Sequence, residues 1–170
     1  DLLGHSHGGI VAMAWAATHP SRVRNLILVS TLARFRDKQV AAMNAMMLDR
    51  KDEPWYADAR AASDLEQSGD FDEARLPWLV QRIMPFYVAR LGEPEREFLG
   101  FLESLPINHD ALKLWDSEIQ PMFDLVPRLG RIPAPTLVVG SDLDLIAGPV
   151  CAVASADGIP GSELATLQGW

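Results

Sequence analysis

The sequence is poor in cysteine and in basic residues, and it contains no long apolar run. Its single cysteine, Cys151, excludes an internal disulfide and a cysteine-rich zinc site. The 15 basic residues against 23 acidic ones give a net charge of −8, which argues against a nucleic-acid partner because phosphate binding needs a basic surface. No apolar run reaches the roughly 18 residues of a membrane-spanning helix, so we expect no membrane partner.

The amino-terminal residues carry no basic stretch ahead of an apolar one, so no signal peptide is visible and we predict a cytoplasmic location. Hydrophobic residues make up 48% of the 170 residues and charged residues 22%. This is the composition of a folded protein of about one domain.

The residue pattern divides the chain into three segments. Residues 1–32 contain a strand end, a glycine-rich turn, an apolar helix and a short buried-strand run. Residues 33–129 show helical patterns separated by prolines, and residues 130–170 return to strand patterns. The predicted strands are 26–29, 136–140 and 163–167, and the predicted helices are 10–19, 40–48, 55–65, 76–91, 95–105, 109–123 and 149–156.

Strands that alternate with helices predict an α/β fold with a parallel sheet. Only three or four strands are visible, and the first begins in mid-element. We therefore expect part of a larger α/β domain, with the sheet-bearing core at 1–32 and 130–170 and a helical cap inserted at 33–129.

The motif that points to chemistry is Gly4-x-Ser6-x-Gly8, between a strand end and an apolar helix. This pattern is typical of a nucleophile elbow, in which a strained turn exposes the serine oxygen and glycines relieve backbone crowding. The N–H of His7, the residue after the nucleophile, is then expected to donate to an oxyanion. The alternatives are a plain glycine-rich turn and a phosphate-binding turn.

A serine nucleophile needs a base and a carboxylate that orients the base. Asp142 and Asp144 both follow a predicted strand, which is where such a carboxylate is expected. In the chain order Ser, acid, His, no histidine follows Asp144, because the four histidines lie at positions 5, 7, 19 and 109. No metal-ligand spacing is present, and this chemistry requires no cofactor.

The segments 1–16, 19–31 and 134–149 resemble the α/β-hydrolase family, and more narrowly its proline iminopeptidase-like members. The resemblance implies that Asp144 is the triad acid, by counting back from Gly148-Pro149, with Asp142 as the alternative. It also implies a catalytic histidine about two residues beyond Trp170 and an oxyanion loop ahead of Asp1. The chain by itself is then expected to be inactive.

The iminopeptidase resemblance implies cap carboxylates that hold a substrate amino group. The candidates are Asp110, Asp116 and Glu118, with a solvated acidic surface as the alternative reading. Trp115 is a candidate for lining an apolar substrate pocket, with simple packing as the alternative. The resemblance implies a serine hydrolase with proline iminopeptidase-like aminopeptidase activity, whose substrate is a short peptide or another small molecule with an N-terminal proline or a similar residue. An ester, a lactone or a C–C bond substrate is the alternative, because the same elbow serves these reactions. A non-catalytic ligand- or partner-binding protein is the rival class.

Overall fold

The structure is a computed structural model that describes residues 1–106 and 108–169. Within these residues it contains one four-stranded sheet in the order β1-β2-β3-β4, with every neighbouring pair parallel. The predicted α/β fold with a parallel sheet is confirmed. The strands are β1 (Leu2–His5), β2 (Leu26–Val29), β3 (Thr136–Ser141) and β4 (Glu163–Leu167).

The sheet core is built from short apolar runs and from a helix of small residues. Leu26 and Leu28 of β2 and Val138 of β3 are buried, as continuous apolar runs predict for strands covered on both faces. Helix α1 (His7–Thr18) packs on this sheet through alanines and Met13, which is fully buried. The small alanine side chains allow α1 to approach the strands closely.

The remaining helices follow the predicted helical patterns with shifted ends. In the predicted helix 76–91, the α-helical part ends at Ile83, because Pro85 has no N–H to continue the hydrogen-bond ladder. A 3-10 helix, Met84–Tyr87, follows it. The predicted helix 109–123 is an α-helix only to Leu114, and a π-helix, Trp115–Ile119, continues it. The helices are α2 (Asp37–Leu48), α3 (Tyr56–Ser68), α4 (Leu76–Ile83), α5 (Glu93–Glu103), α6 (His109–Leu114), α7 (Val126–Leu129) and α8 (Pro149–Gly158), with further 3-10 helices at Pro20–Arg22 and Glu73–Arg75.

The chain forms two compact units, one made of Asp1–Met43 with His109–Trp170 and the other of Asn44–Asn108. The second unit covers fewer residues than the predicted cap at 33–129. The difference arises because Ala33, Leu125 and Leu129 are buried in the same core cluster as β2 and β3.

The Asn44–Asn108 unit has an apolar core of its own. Phe86 is almost fully buried and makes edge-on ring contacts with Trp55 and Tyr56. Leu79 of α4 is fully buried as well. Within the described residues, no helix combines the length and the apolar character needed to cross a membrane.

Strand β1 leaves one edge without a partner strand in the part of the chain that the structure describes. Leu3 on this edge is 62% exposed. An exposed apolar edge strand pairs readily with other chains, so we expect the isolated 170-residue chain to self-associate. Leu3→Lys should reduce this association, as measured by light scattering.

Leu48→Lys is the matched control, because Leu48 is a comparably exposed leucine that lies at the end of α2 and belongs to no strand. Equal reduction by both variants would show that general surface apolarity, and not the edge of β1, drives association.

Candidate active site

Ser6 lies at the carboxyl end of β1, directly before α1, and its side chain is exposed. Its backbone has φ 51° and ψ −125°. A positive φ is unfavourable for a residue with a Cβ, and such strain persists only where surrounding contacts impose it. The Ser6 N–H donates to the Val29 carbonyl at 3.0 Å, and the Gly9 N–H donates to the Ser6 carbonyl at 2.9 Å.

The positions around this turn where a side chain would clash with its neighbours are Gly4 and Gly9. A Cβ on Gly4 would lie 2.5 Å from the Gly8 carbonyl oxygen, and one on Gly9 would lie 2.5 Å from the Thr31 Cβ. A Cβ on Gly8 would meet nothing within 4 Å among the described residues. The expectation that crowding requires glycine on both sides of Ser6 is therefore wrong for Gly8: the second crowded position is Gly9.

The carboxyl end of β2 meets the turn from the neighbouring strand. Ser30 has φ 44°, and Ser6 is the other non-glycine residue with a positive φ in the described chain. Thr31 is 3% exposed, and its hydroxyl donates to the Ser6 carbonyl at 2.7 Å. Neither residue was among the predicted site residues; the signal available in the sequence is a polar Ser-Thr pair directly after a buried strand.

An aromatic cluster borders Ser6. The His7 and Trp115 rings meet edge-on with centroids 4.5 Å apart, and Trp115 lies 5.4 Å from the Phe123 ring. Trp115 begins the π-helix, where the Gln120 N–H donates to the Trp115 carbonyl at 2.8 Å. The structure thus brings three of the predicted site residues, Ser6, His7 and Trp115, into one region.

Asp144 lies in the turn after β3. Because the strands are parallel, this turn and Ser6 lie at the same end of the sheet, where the strands have their carboxyl ends. Its Oδ1 accepts hydrogen bonds from the Ile146 and Ala147 N–H groups, both at 2.9 Å. These two bonds fix the orientation of the carboxylate. Oδ2 accepts no bond from residues in the described ranges, and it is the oxygen available to orient a histidine.

Asp142 lies in the same turn but makes different hydrogen bonds. Its Oδ1 accepts from the Gly169 N–H at 2.7 Å, and its own N–H donates to the Leu167 carbonyl at 3.1 Å. Gly169 has φ 77°, a conformation that favours glycine. Asp142 therefore holds the chain that leaves β4 beside the turn that contains Asp144.

Cys151 lies beneath the Asp144 turn in the first turn of α8. Burial raises the pKa of the Cys151 thiol to about 11, and the nearby negative charge of Asp144 adds to the shift. The thiol therefore stays protonated at neutral pH, where it is a poor nucleophile.

Two of the predicted amine-binding carboxylates have described side chains. Asp110, in the first turn of α6, and Glu118, in the π-helix, are both exposed. The side chain of Asp116 lies outside the described part of the structure. The helix that carries them changes from α to π geometry at Trp115.

None of the described histidine side chains is placed as a partner of Asp144. His7 contacts Trp115, and His19 stacks on Trp15 with ring centroids 3.8 Å apart. His5 is exposed at the end of β1, and the His109 side chain lies outside the described part. Among the described residues, no group of three or more His, Cys, Asp or Glu side chains could hold a metal ion.

Comparison with known proteins defines the family. A sequence model described as the alpha/beta hydrolase fold matches residues 1–167. The chain therefore belongs to the α/β-hydrolase family.

Particular relatives are esterases and lactonases by name. The chain is similar to a pimeloyl-[acyl-carrier protein] methyl ester esterase of Chromobacterium violaceum, at 28% identity over 154 residues, 88% of this chain and 46% of that protein. The enol-lactonase of Burkholderia xenovorans shares the fold with a TM-score of 0.62 and 24% identity over 97% of this chain and 55% of its own. The structure of Est816, described as an N-acyl homoserine lactone degrading enzyme, is similar with a TM-score of 0.66 and 21% identity, over 98% of this chain and 58% of its own.

The chain thus spans about half the length of the relatives that it matches. The narrower resemblance to proline iminopeptidases is not shown by these comparisons and stays a prediction.

Proposed function

We propose that the protein carrying this sequence is a serine hydrolase of small carboxylic esters or lactones, with Ser6 as the nucleophile. The observation that carries the proposal is the strained backbone of an exposed serine at the amino end of α1. The helix N-terminus offers free N–H groups and a positive dipole end, which stabilise negative charge on an attacked carbonyl oxygen.

In the proposed reaction, the Ser6 Oγ attacks the substrate carbonyl carbon and its proton passes to a histidine base. The carbonyl oxygen becomes an oxyanion that the His7 N–H stabilises. Collapse of this intermediate breaks the ester C–O bond, and the base returns the proton to the leaving alcohol. Water then attacks the acyl-enzyme by the same route, which releases the carboxylic acid and regenerates the Ser6 hydroxyl.

The base is the part of this mechanism that comes from the resemblance, which implies a histidine about two residues beyond Trp170. Asp142 supports this placement because it fixes the Gly169 N–H next to the Asp144 turn. The Asp144 carboxylate, held by two backbone N–H groups, is the proposed group that orients the base.

The choice of ester or lactone over peptide rests on the surroundings of Ser6. His7, Trp115 and Phe123 form an aromatic surface, which favours an apolar acyl or alcohol group. The amine of a peptide substrate needs a carboxylate partner, and the exposed Asp110 and Glu118 offer one that water screens strongly. The relatives named as a methyl ester esterase and an enol-lactonase support the same choice.

A panel of p-nitrophenyl acetate, p-nitrophenyl butyrate, a δ-lactone and proline p-nitroanilide tests the proposal on the full-length protein that carries this sequence, which is also the protein used for every activity measurement below. We expect hydrolysis of the esters or the lactone, no release of p-nitroaniline, and labelling of Ser6 by a fluorophosphonate probe. Hydrolysis of the anilide alone would establish the peptidase hypothesis instead. Absence of both labelling and hydrolysis would reject the enzyme and favour the non-catalytic binding protein.

A further inference from the structure

The peptide bond between Ser6 and His7 receives two hydrogen bonds on its carbonyl oxygen. One comes from the Gly9 N–H at 2.9 Å, within the first turn of α1. The other comes from the Thr31 hydroxyl at 2.7 Å, which reaches across from the end of β2. Thr31 is 3% exposed, so this second bond is shielded from water.

The other end of the same peptide is the His7 N–H, the proposed oxyanion donor. No peptide bond in the described chain is cis, and a trans peptide is planar with its N–H pointing opposite to its C=O. A donor that fixes the direction of the Ser6 carbonyl therefore also fixes the direction of the His7 N–H. A hydrogen bond to the carbonyl further polarises the peptide and strengthens the N–H as a donor.

We propose that Thr31 is a positioning residue that aims and polarises the His7 N–H toward the substrate oxyanion. The proposal rests on the proposed function of Ser6, and it adds a residue that touches neither substrate nor base.

The surroundings of Thr31 are built to hold it in this place. The Ser30 N–H donates to the Val139 carbonyl at 2.9 Å, which ties the strained turn of φ 44° to β3. Gly9 presents bare backbone to the threonine: a Cβ there would lie 2.7 Å from the Thr31 Cγ2. The Thr31 side chain thus packs between the turn at Ser30 and the backbone of α1 at Gly9.

The test compares Thr31→Val, which keeps the shape and removes the hydroxyl, with Thr31→Ser, which keeps the hydroxyl. The Thr31→Val variant is expected to fold, because the Ser6 carbonyl keeps the hydrogen bond from Gly9. The matched control is Thr136→Val, since Thr136 is 4% exposed and donates to the Ala134 carbonyl at 2.8 Å, at the opposite end of β3 from Asp144.

We expect Thr31→Val to lower kcat for the ester on the order of tenfold with KM unchanged; complete removal of an oxyanion donor costs about 10² to 10³. Binding of a trifluoromethyl ketone, which forms the oxyanion, should weaken by the same factor. Thr31→Ser should stay within about twofold of the wild type, and Thr136→Val should lose stability but not kcat.

Equal kcat in the wild type and Thr31→Val, with Ser6-dependent hydrolysis intact, would overturn the role of Thr31 and leave the proposed function standing. An equal loss of kcat in Thr136→Val would also overturn it, because the effect would then reflect general destabilisation. A wild-type protein without Ser6-dependent hydrolysis would overturn the proposed function and the role of Thr31 with it.

Discussion

Replacing Ser6 by alanine in the full-length protein is expected to lower kcat for ester hydrolysis by a factor on the order of 10⁶, the cost of removing a serine nucleophile from a triad. The loss has a chemical cause, because alanine has no hydroxyl to form the acyl-enzyme. The fold should persist, since alanine has the same Cβ as serine at the φ of 51°. The rate is followed with p-nitrophenyl butyrate and the fold by thermal melting.

Ser68→Ala is the control, because Ser68 is an exposed serine at the end of α3. It should keep wild-type kcat. Substantial ester hydrolysis by Ser6→Ala would show that another group performs the attack, and Ser6 would lose its assigned role.

The second large effect is expected at Asp144. Asp144→Asn keeps an oxygen for the Ile146 and Ala147 N–H groups, so the turn is retained. It removes the negative charge that stabilises a protonated histidine and the acceptor that selects its tautomer. We expect kcat to fall by about 10⁴, the cost of this change in a serine triad.

Asp142→Asn is the matched control two residues away. Its amide oxygen still accepts from the Gly169 N–H, so kcat should fall by less than about tenfold. Steady-state kinetics on the same ester separate the two variants. The reverse order of losses would assign the triad acid to Asp142.

The positions of the strands follow from the sequence, because short apolar runs bounded by turn residues have a simple local signature. Leu26–Val29 and Glu163–Leu167 were predicted with the ends that the structure shows, and 136–140 falls one residue short of Thr136–Ser141. Helix ends were harder to predict. Apolar spacing continues past Ile83 although Pro85 ends the α-helical ladder, and it carries no sign of the π-helix at Trp115.

Part of the candidate site could be predicted from the sequence, again because local patterns mark some of its residues. Ser6 and the two aspartates have chain neighbours that mark them, namely flanking glycines and a preceding strand. Thr31 also follows a predicted strand, but its contact with the Ser6 carbonyl joins two strands and becomes visible only in the folded chain. Likewise, only the folded chain shows that Gly9 is packed against Thr31 while Gly8 faces open space among the described residues.

The pairing of β2 with β3 has a consequence for how this protein can evolve. These strands are neighbours in the sheet although the whole Asn44–Asn108 unit lies between them in the chain, so that unit belongs to one closed loop. The entropy of closing a loop grows only with the logarithm of its length, at about 0.6 kcal/mol per doubling. Selection can therefore lengthen, shorten or exchange the inserted unit at little thermodynamic cost, while the strand ends that carry Ser6, Thr31 and Asp144 stay in register.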